Sequence, residues 1–153
     1  PAAITLGHLL SHTSGLRDHS LLPEYVDAVL ADPRRRWTRH EQVALAVASG
    51  PPYGAPGDHY RYSDTGFVVL GEIVEATTGR DLGRSVRDEL DFAALGLHDT
   101  WWEDLEAPAP GTLPLARQFQ DGLETTGFDA SFDLHGGGGL VSTVEDLARF
   151  MRA

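Results

Sequence analysis

The sequence predicts a mainly α-helical protein with very little sheet. Several apolar stretches recur at the spacing of a helix face, and most of them follow a residue that favours a helix start. Signals typical of strands are weak and lie in one stretch, residues 115–127. The chain has 153 residues, of which 41% are hydrophobic, and this predicts a single unit over residues 1–153.

Three helices are predicted in the first third of the chain. The first covers Ile4–Leu10 with Thr5 as its N-cap, and the second covers Pro23–Leu30, where a proline at the start is tolerated. The letters T-R-H-E at residues 38–41 form a capping box. They predict a third helix that ends near Gly50.

The central helix follows a loop rich in proline and glycine, residues 51–58. Either Ser63 or Asp64 can cap its start, and Gly79 can end it. The apolar spacing predicts that its buried face consists of Phe67, Leu70, Ile73 and Val74. Residues two apart in an extended segment point the same way, so Tyr62 and Asp64 are expected to face one common space.

A further helix is predicted from Leu82 to Leu95, with Asp81 as its cap. Its apolar spacing places Val86, Leu90 and Ala93 on the buried side. After it, the sequence favours packing for the pair Trp101-Trp102, and a carbohydrate platform is the functional alternative.

The last part of the chain combines a weak hairpin signal, a glycine run and a helix. The hairpin is predicted around Gly122, and the run at residues 136–139 directly follows His135. Glycines let a backbone pass close to a substrate or to another element. The letters S-T-V-E at residues 142–145 form a second capping box, which predicts a helix over residues 144–151.

Composition excludes several classes of function. The net charge is -11, from 23 acidic against 12 basic residues, and this opposes binding to the phosphates of nucleic acids. All the basic residues are arginines, so a P-loop and a Schiff-base lysine are excluded within these residues. The chain has no cysteine, which excludes disulfides and a thiol nucleophile. No apolar run approaches the ~20 residues that span a bilayer, so no membrane span is expected.

His8 and His12 stand four residues apart and can share a helix face, which makes them candidate metal ligands. A zinc protease motif needs a glutamate after the first histidine, but Leu9 occupies that position. We therefore expect no metal site, and we expect His12 to shape a turn by hydrogen bonding. No cofactor is expected either.

Three stretches occur in an order that resembles one protein family. They are I-T-L-G-H-L-L-S-H-T-S-G-L at residues 4–16, P-G-D at 56–58 with Y-S-D at 62–64, and G-G-G-L-V-S-T at 137–143. Together they are similar to the serine beta-lactamase-like hydrolases, which include class C beta-lactamases, D-alanyl-D-alanine carboxypeptidases and esterases. The resemblance implies the helical region of an α/β beta-lactamase/transpeptidase-like fold, without most of its antiparallel sheet.

The family's chemistry, as the resemblance implies it, is acyl transfer through a serine ester. Its nucleophile lies in an S-x-x-K motif, and the tyrosine of a Y-x-N motif relays the serine's proton. Tyr62 matches that tyrosine and is the predicted catalytic residue, while Ser63 fills the variable position and Asp64 the asparagine position. With Gly137 and Gly138, these two residues are candidates for binding or supporting substrate. A rival register takes Ser63 to Thr65 as an analogue of an S-D-N motif.

Two departures from the family pattern have consequences. A carboxylate at Asp64 only accepts hydrogen bonds, whereas an amide also donates them, and the carboxylate can pair with a lysine from elsewhere. Because the chain has no lysine, it contains neither S-x-x-K nor K-T-G. His135-Gly136-Gly137 has the letters of an H-x-G motif but precedes the last helix, whereas the family's third motif follows it.

The sequence therefore predicts the middle segment of a longer serine hydrolase, inactive alone. Its expected partners are the remainder of its parent chain and a small-molecule or peptide acyl substrate: an amide, an ester or a beta-lactam. The resemblance slightly favours a periplasmic or extracellular location. One alternative is a non-catalytic binding or regulatory module of the same fold; another is a different hydrolase that uses His135 with Ser63 or Ser142.

Overall fold

The computed structural model describes residues 3–153, so the first two residues of the predicted unit lie outside the described part. The described residues form six α-helices: α1 (Leu6–Leu10), α2 (Pro23–Ala31), α3 (Arg39–Ala48), α4 (Asp64–Thr78), α5 (Leu82–Glu89) and α6 (Val144–Phe150). They also form four two-residue strands: β1 (Trp101–Trp102), β2 (Phe119–Gln120), β3 (Leu123–Glu124) and β4 (Leu140–Val141). The predicted mainly α fold with little sheet is confirmed.

The strands form two small antiparallel pairs. Strand β1 pairs with β4, with Trp101 opposite Val141, and so joins the middle of the chain to the start of α6. Strands β2 and β3 pair with Phe119 opposite Glu124, which confirms the predicted hairpin around Gly122.

Most helix starts lie where the capping residues predicted them. Thr5 accepts a hydrogen bond from the backbone of His8, and Thr38 and Glu41 form the expected capping box. Ser63, one of the two candidates, caps α4 and accepts from the backbone N–H of Gly66. Gly79 ends that helix in the left-handed conformation, with φ of 68°.

The predicted buried face of α4 is wrong. The most buried residues are Thr65, Gly66, Val68 and Gly71, whereas the four predicted apolar residues, Phe67, Leu70, Ile73 and Val74, are only partly buried. The small residues lie where other backbone segments approach the helix most closely, and a Cβ on Gly71 would overlap the carbonyl oxygen of His135. Apolar spacing identifies the helix, but close backbone approach selects its buried side.

Helix α5 is shorter than predicted and ends at Glu89 instead of Leu95. Asp91 has a positive φ of 45°, which breaks the helix and turns the chain. As a result Leu90 is exposed and Phe92 is buried, and Ala93 is exposed instead of facing inward.

The cap of α6 is shifted by one residue from the prediction. Thr143 is the N-cap and accepts from the backbone N–H of Asp146, so the predicted box of Ser142 and Glu145 is wrong. The Ser142 hydroxyl lies 2.8 Å from the Thr100 hydroxyl instead. The local pattern assigns the Ser142 hydroxyl to the cap, but its contact with Thr100, which is distant in sequence, replaces that role.

Two clusters of buried apolar residues form the core. One contains Leu22, Tyr25 and Trp37, and the other contains Leu82, Trp102 and Leu134. Trp101 and Trp102 are only 9% and 5% exposed. Both therefore act in packing, and neither presents a platform for carbohydrate.

The helices between residues 3 and 153 are all too short or too polar to cross a membrane.

Candidate active site

Tyr62 and Ser63 lie in the extended segment that leads into α4. This segment is tied to the turn after α1, because the backbone N–H of Arg61 donates to the His12 carbonyl at 2.8 Å and that of Ser63 donates to His12 Nδ1 at 3.3 Å. The His12 ring also packs against Tyr62 and Phe67, with ring centroids 4.4 and 4.9 Å apart. His12 thus holds the turn by hydrogen bonding, as expected, and it fixes the approach of Tyr62.

Ser63 is a structural residue in this arrangement. Its side chain caps α4, lies 3.4 Å from the carbonyl oxygen of Arg17 and is buried, at 1% exposure. Ser142 bonds to Thr100, and His135 Nε2 lies 3.2 Å from the Trp37 carbonyl oxygen. His135, Ser63 and Ser142 are therefore engaged with different partners, and none of these contacts joins the histidine to a serine.

Tyr62 and Asp64 do face one space, as the two-residue spacing predicts. The Tyr62 hydroxyl donates to Asp64 Oδ1 at 2.8 Å, and the Ser20 hydroxyl lies 3.0 Å from Asp64 Oδ2. Tyr62 is half exposed, so its hydroxyl is open to the space outside α4. The hydrogen bond to Asp64 is the largest cause that raises the pKa of Tyr62 to about 12, followed by burial and nearby negative charge. The phenol is thus a weaker acid than usual.

Asp133 brings a second carboxylate to the same place, from the end of the 3-10 helix Ala130–Phe132. An ideal Cβ on Gly137 would lie 3.2 Å from Asp133 Oδ1 and 3.7 Å from Asp64 Oδ1, so this glycine lies between the two acids. A Cβ on Gly138 would overlap Asp133 Oδ2. The absence of side chains at Gly137 and Gly138 therefore leaves space for the carboxylates of Asp64 and Asp133.

The Asp133 side chain is exposed at the protein surface, although neighbouring protein atoms still reduce the hydration of its carboxylate. Partial burial first, and then the charges of Asp64 and Asp18, raise the pKa of Asp133 to about 6. The sequence pattern did not identify Asp133; its only local signal is an acidic residue shortly before a glycine run.

Asp18 is the third carboxylate, and it is only 2% exposed. It caps the 3-10 helix His19–Leu21, and its Oδ1 accepts from the backbone N–H of Ser20 at 3.0 Å. Its Oδ2 has no hydrogen-bond partner among residues 3–153. Asp18, Asp64 and Asp133 are called the acidic cluster below. Sequence reasoning missed Asp18 because it lies in a stretch assigned only to a loop.

His19 lies beside Asp18, and both side chains are buried. Its Nδ1 is 3.9 Å from Asp18 Oδ1 and 2.9 Å from the Thr65 hydroxyl. Burial is the largest effect on this histidine and lowers its pKa, while the charge of Asp18 opposes that effect. Burial therefore disfavours the protonated imidazole that would pair with Asp18.

A groove of about 500 Å³ extends from the acidic cluster along α2 to the hairpin. Ser20, Asp64 and Asp133 line its polar end. Its walls are mainly apolar and include Leu21, Val26, Leu30, Leu123 and Phe128. This groove and the Tyr62 hydroxyl share Asp64, so a molecule in the groove can reach the tyrosine.

Residues 3–153 contain no group of three or more histidine or acidic residues arranged to hold a metal ion. His8 and His12 each use Nδ1 to accept a backbone hydrogen bond, from Thr5 and Ser63 respectively. The two histidines therefore act in local structure.

Comparison with known proteins gives consistent matches over nearly the whole chain. A family model described as Beta-lactamase matches residues 1–153. The chain is 27% identical to penicillin-binding protein 4* of Bacillus subtilis (strain 168) over 165 residues, which cover 98% of this chain and 35% of that protein.

Solved structures of two amide-cleaving enzymes are also similar. A D-stereospecific amidohydrolase from Streptomyces sp. has a TM-score of 0.80 and 28% identity, covering 98% of this chain and 46% of that one. The D-amino acid amidase of Ochrobactrum anthropi SV3, solved with D-phenylalanine, has a TM-score of 0.75 and 27% identity, covering 98% and 44%. The chain thus spans less than half the length of each of these proteins.

Proposed function

Because this chain belongs to the beta-lactamase family, we propose that it is the helical segment of a serine hydrolase that transfers acyl groups through a serine ester. The observation that carries the proposal is the Tyr62–Asp64 pair at the start of α4, which opens onto a groove of substrate size. The names of the similar proteins, a penicillin-binding protein and two amide-cleaving enzymes, support an amide or a related acyl donor as substrate.

In the proposed reaction, Tyr62 takes the proton of the nucleophilic serine as that oxygen attacks the acyl carbon. The proton then goes to the leaving group, and water later cleaves the acyl ester in the same way. A phenol with a pKa of about 12 is a poor base catalyst in its resting, protonated form, so the site needs a nearby cation to favour the phenolate. A lysine beside Asp64 supplies that charge.

The serine and the lysine are proposed to come from outside this chain. Ser63 is buried as a helix cap, and the sequence contains no lysine. Exposed apolar side chains on α1 and α6, among them Leu6, Leu10, Val144 and Leu147, support a surface that the remainder of the parent chain covers. The segment alone is then inactive.

The test uses the extended protein, defined as this chain with the residues that flank it in its gene. Tyr62→Phe is expected to slow acylation of that protein by roughly 10²–10⁴, the usual contribution of a positioned acid–base group. The measurement is the rate at which a penicillin or a chromogenic ester forms the covalent adduct.

Tyr60→Phe is the matched control, because Tyr60 is 67% exposed and also packs against His12, but does not contact Asp64. We expect Tyr60→Phe to acylate at close to the wild-type rate. Equal rates for wild type and Tyr62→Phe would reject Tyr62 as the proton relay. An extended protein that forms no adduct would favour a non-catalytic module.

A further inference from the structure

We propose that Ser20 is a positioning residue of the proposed reaction: its hydroxyl binds Asp64 through the oxygen that Tyr62 does not use, and so limits how tightly Asp64 holds the proton of Tyr62. Ser20 belongs to none of the sequence motifs and lies 44 residues before Asp64. The inference rests on the proposed function and adds to it a residue that acts through Asp64.

The Asp64 carboxylate is held between two hydroxyl groups. The Tyr62 hydroxyl donates to Oδ1 at 2.8 Å, and the Ser20 hydroxyl lies 3.0 Å from Oδ2. The ion pairs among residues 3–153 do not include Asp64. Within the described residues, the negative charge of Asp64 is therefore shared between these two donors.

The Ser20 hydroxyl has two carboxylates within reach but only one proton to donate. It lies 3.0 Å from Asp18 Oδ1 as well as from Asp64 Oδ2. Asp18 Oδ1 already accepts from the backbone N–H of Ser20, whereas Asp64 Oδ2 has no other donor between residues 3 and 153. This difference favours donation to Asp64.

The fold holds Ser20 firmly beside α4. Ser20 lies in the 3-10 helix His19–Leu21, which the buried Asp18 caps. The backbone N–H of His19 donates to the Thr65 hydroxyl at 3.0 Å, and the ring Nδ1 of His19 lies 2.9 Å from the same hydroxyl. The 3-10 helix is thus bound to the helix turn that begins with Asp64. A side chain on such a fixed element keeps its position with little cost in entropy.

The effect of Ser20 on Tyr62 follows from sharing one acceptor. The hydrogen bond to Asp64 is the largest cause of the raised pKa of Tyr62. A carboxylate that accepts a second hydrogen bond is a weaker acceptor for the first, because the second donor withdraws negative charge. Without the Ser20 hydroxyl, Asp64 holds the phenol proton more tightly and disfavours the phenolate. The hydroxyl therefore acts in the same direction as the lysine proposed from the flanking residues.

Four titratable groups among residues 3–153 face Tyr62 from the elements around it. Asp64 on α4 accepts its hydrogen bond, and His12, in the turn after α1, packs against its ring. The charges of Asp133 and Asp18, at the two 3-10 helices, also raise its pKa. Removal of the serine hydroxyl leaves all four groups in place, so a change in the titration of Tyr62 reports on that hydroxyl.

The test is the acylation rate of the extended protein by a chromogenic ester as a function of pH. In Ser20→Ala the limb of the profile that reports Tyr62 should move to higher pH by about 0.5–1 unit. At a fixed pH on that limb, acylation should be about three- to tenfold slower, the net effect of one hydrogen bond, with little change in KM. Ser20→Thr keeps the hydroxyl and should retain the wild-type profile.

Ser49→Ala is the matched control. Ser49 is partly buried like Ser20, but its hydroxyl donates to the Ala46 carbonyl at the end of α3, at 2.8 Å. We expect this variant to keep the wild-type profile. An unshifted profile in Ser20→Ala, an equal slowing at every pH, or an effect confined to KM would overturn the inference. The last result would mean that Ser20 contacts the substrate.

A second measurement needs no catalysis and separates this inference from the proposed function. If the extended protein forms no adduct, or if Tyr62→Phe acylates normally, the proposed function fails and the titration of Tyr62 at 295 nm tests the inference. This titration should move to higher pH in Ser20→Ala but not in Ser49→Ala. An unmoved titration in Ser20→Ala would reject the role of Ser20.

Discussion

Replacement of Gly71 by alanine is expected to destabilise the protein, although alanine is favoured over glycine inside a helix by about 1 kcal/mol. Gly71 is buried in the middle of α4. A Cβ there would overlap the carbonyl oxygen of His135 and lie 3.2 Å from its carbon and 3.1 Å from Leu82 Cδ2. The obstacle is backbone, so the glycine run itself must move. Such overpacking costs about 1–3 kcal/mol, so after the helix gain we expect a net loss of up to about 2 kcal/mol.

Gly66→Ala is the matched control in the same helix. A Cβ on Gly66 would meet Leu9 Cδ2 at 3.8 Å, which is ordinary contact, so this variant should be as stable as wild type or more stable by up to ~1 kcal/mol. The assay is urea unfolding of the extended protein, followed by circular dichroism. A Gly71→Ala variant as stable as Gly66→Ala would refute the docking of the glycine run against α4.

Three further changes test the site and its supports. Asp64→Asn removes the charged acceptor of Tyr62, so the pKa of Tyr62 should fall from about 12 towards its ordinary value. The measurement is a pH titration of tyrosine absorbance at 295 nm, in which Tyr62→Phe identifies the signal of Tyr62. An unchanged titration curve in Asp64→Asn would contradict this expectation. Asp133 has a raised pKa, so the folded state holds its proton more tightly and stability falls as pH rises from its ordinary value of 3.8 to about 6. Asp133→Asn should remove that fall and raise the free energy of unfolding by about 1 kcal/mol at pH 7, a value reduced to allow for solvent screening of the exposed side chain. Parallel curves of stability against pH for the wild type and Asp133→Asn would reject the assignment of the fall to Asp133. Thr143→Ala removes the cap of α6 and should lower the free energy of unfolding, measured in urea, by about 1 kcal/mol. A larger loss of stability in Ser142→Ala would show that the cap is assigned to the wrong residue.

Local sequence signals predicted the starts of the helices well. Thr5, Thr38 and Ser63 cap their helices through bonds to residues three positions away, so the pattern and the interaction lie in the same few residues. The hairpin around Gly122 is local in the same sense. Such features need no knowledge of the rest of the fold.

Predictions that depend on distant contacts were less accurate. The Ser142 hydroxyl bonds to Thr100, and so the cap of α6 moves to Thr143. The buried side of α4 is set by the backbone of His135, which apolar spacing does not reveal.

In the candidate site, too, the local features were predicted and the features that depend on distant contacts were not. The common orientation of Tyr62 and Asp64 follows from their spacing and was predicted. Asp18 and Asp133 are 46 and 69 residues away from Asp64 along the chain, and only the tertiary fold brings them together. No motif in the sequence indicates that these three carboxylates lie close together. The negative charge of the site therefore could not be predicted from the sequence.

We propose that this chain supplies the proton-relay tyrosine of a serine hydrolase and that the nucleophile lies in the flanking residues. The most direct measurement is the intact mass of this chain and of the extended protein after exposure to a fluorophosphonate. We predict one adduct on the extended protein and none on the chain. A stoichiometric adduct on the 153-residue chain would contradict the account, because it would place a reactive nucleophile within these residues.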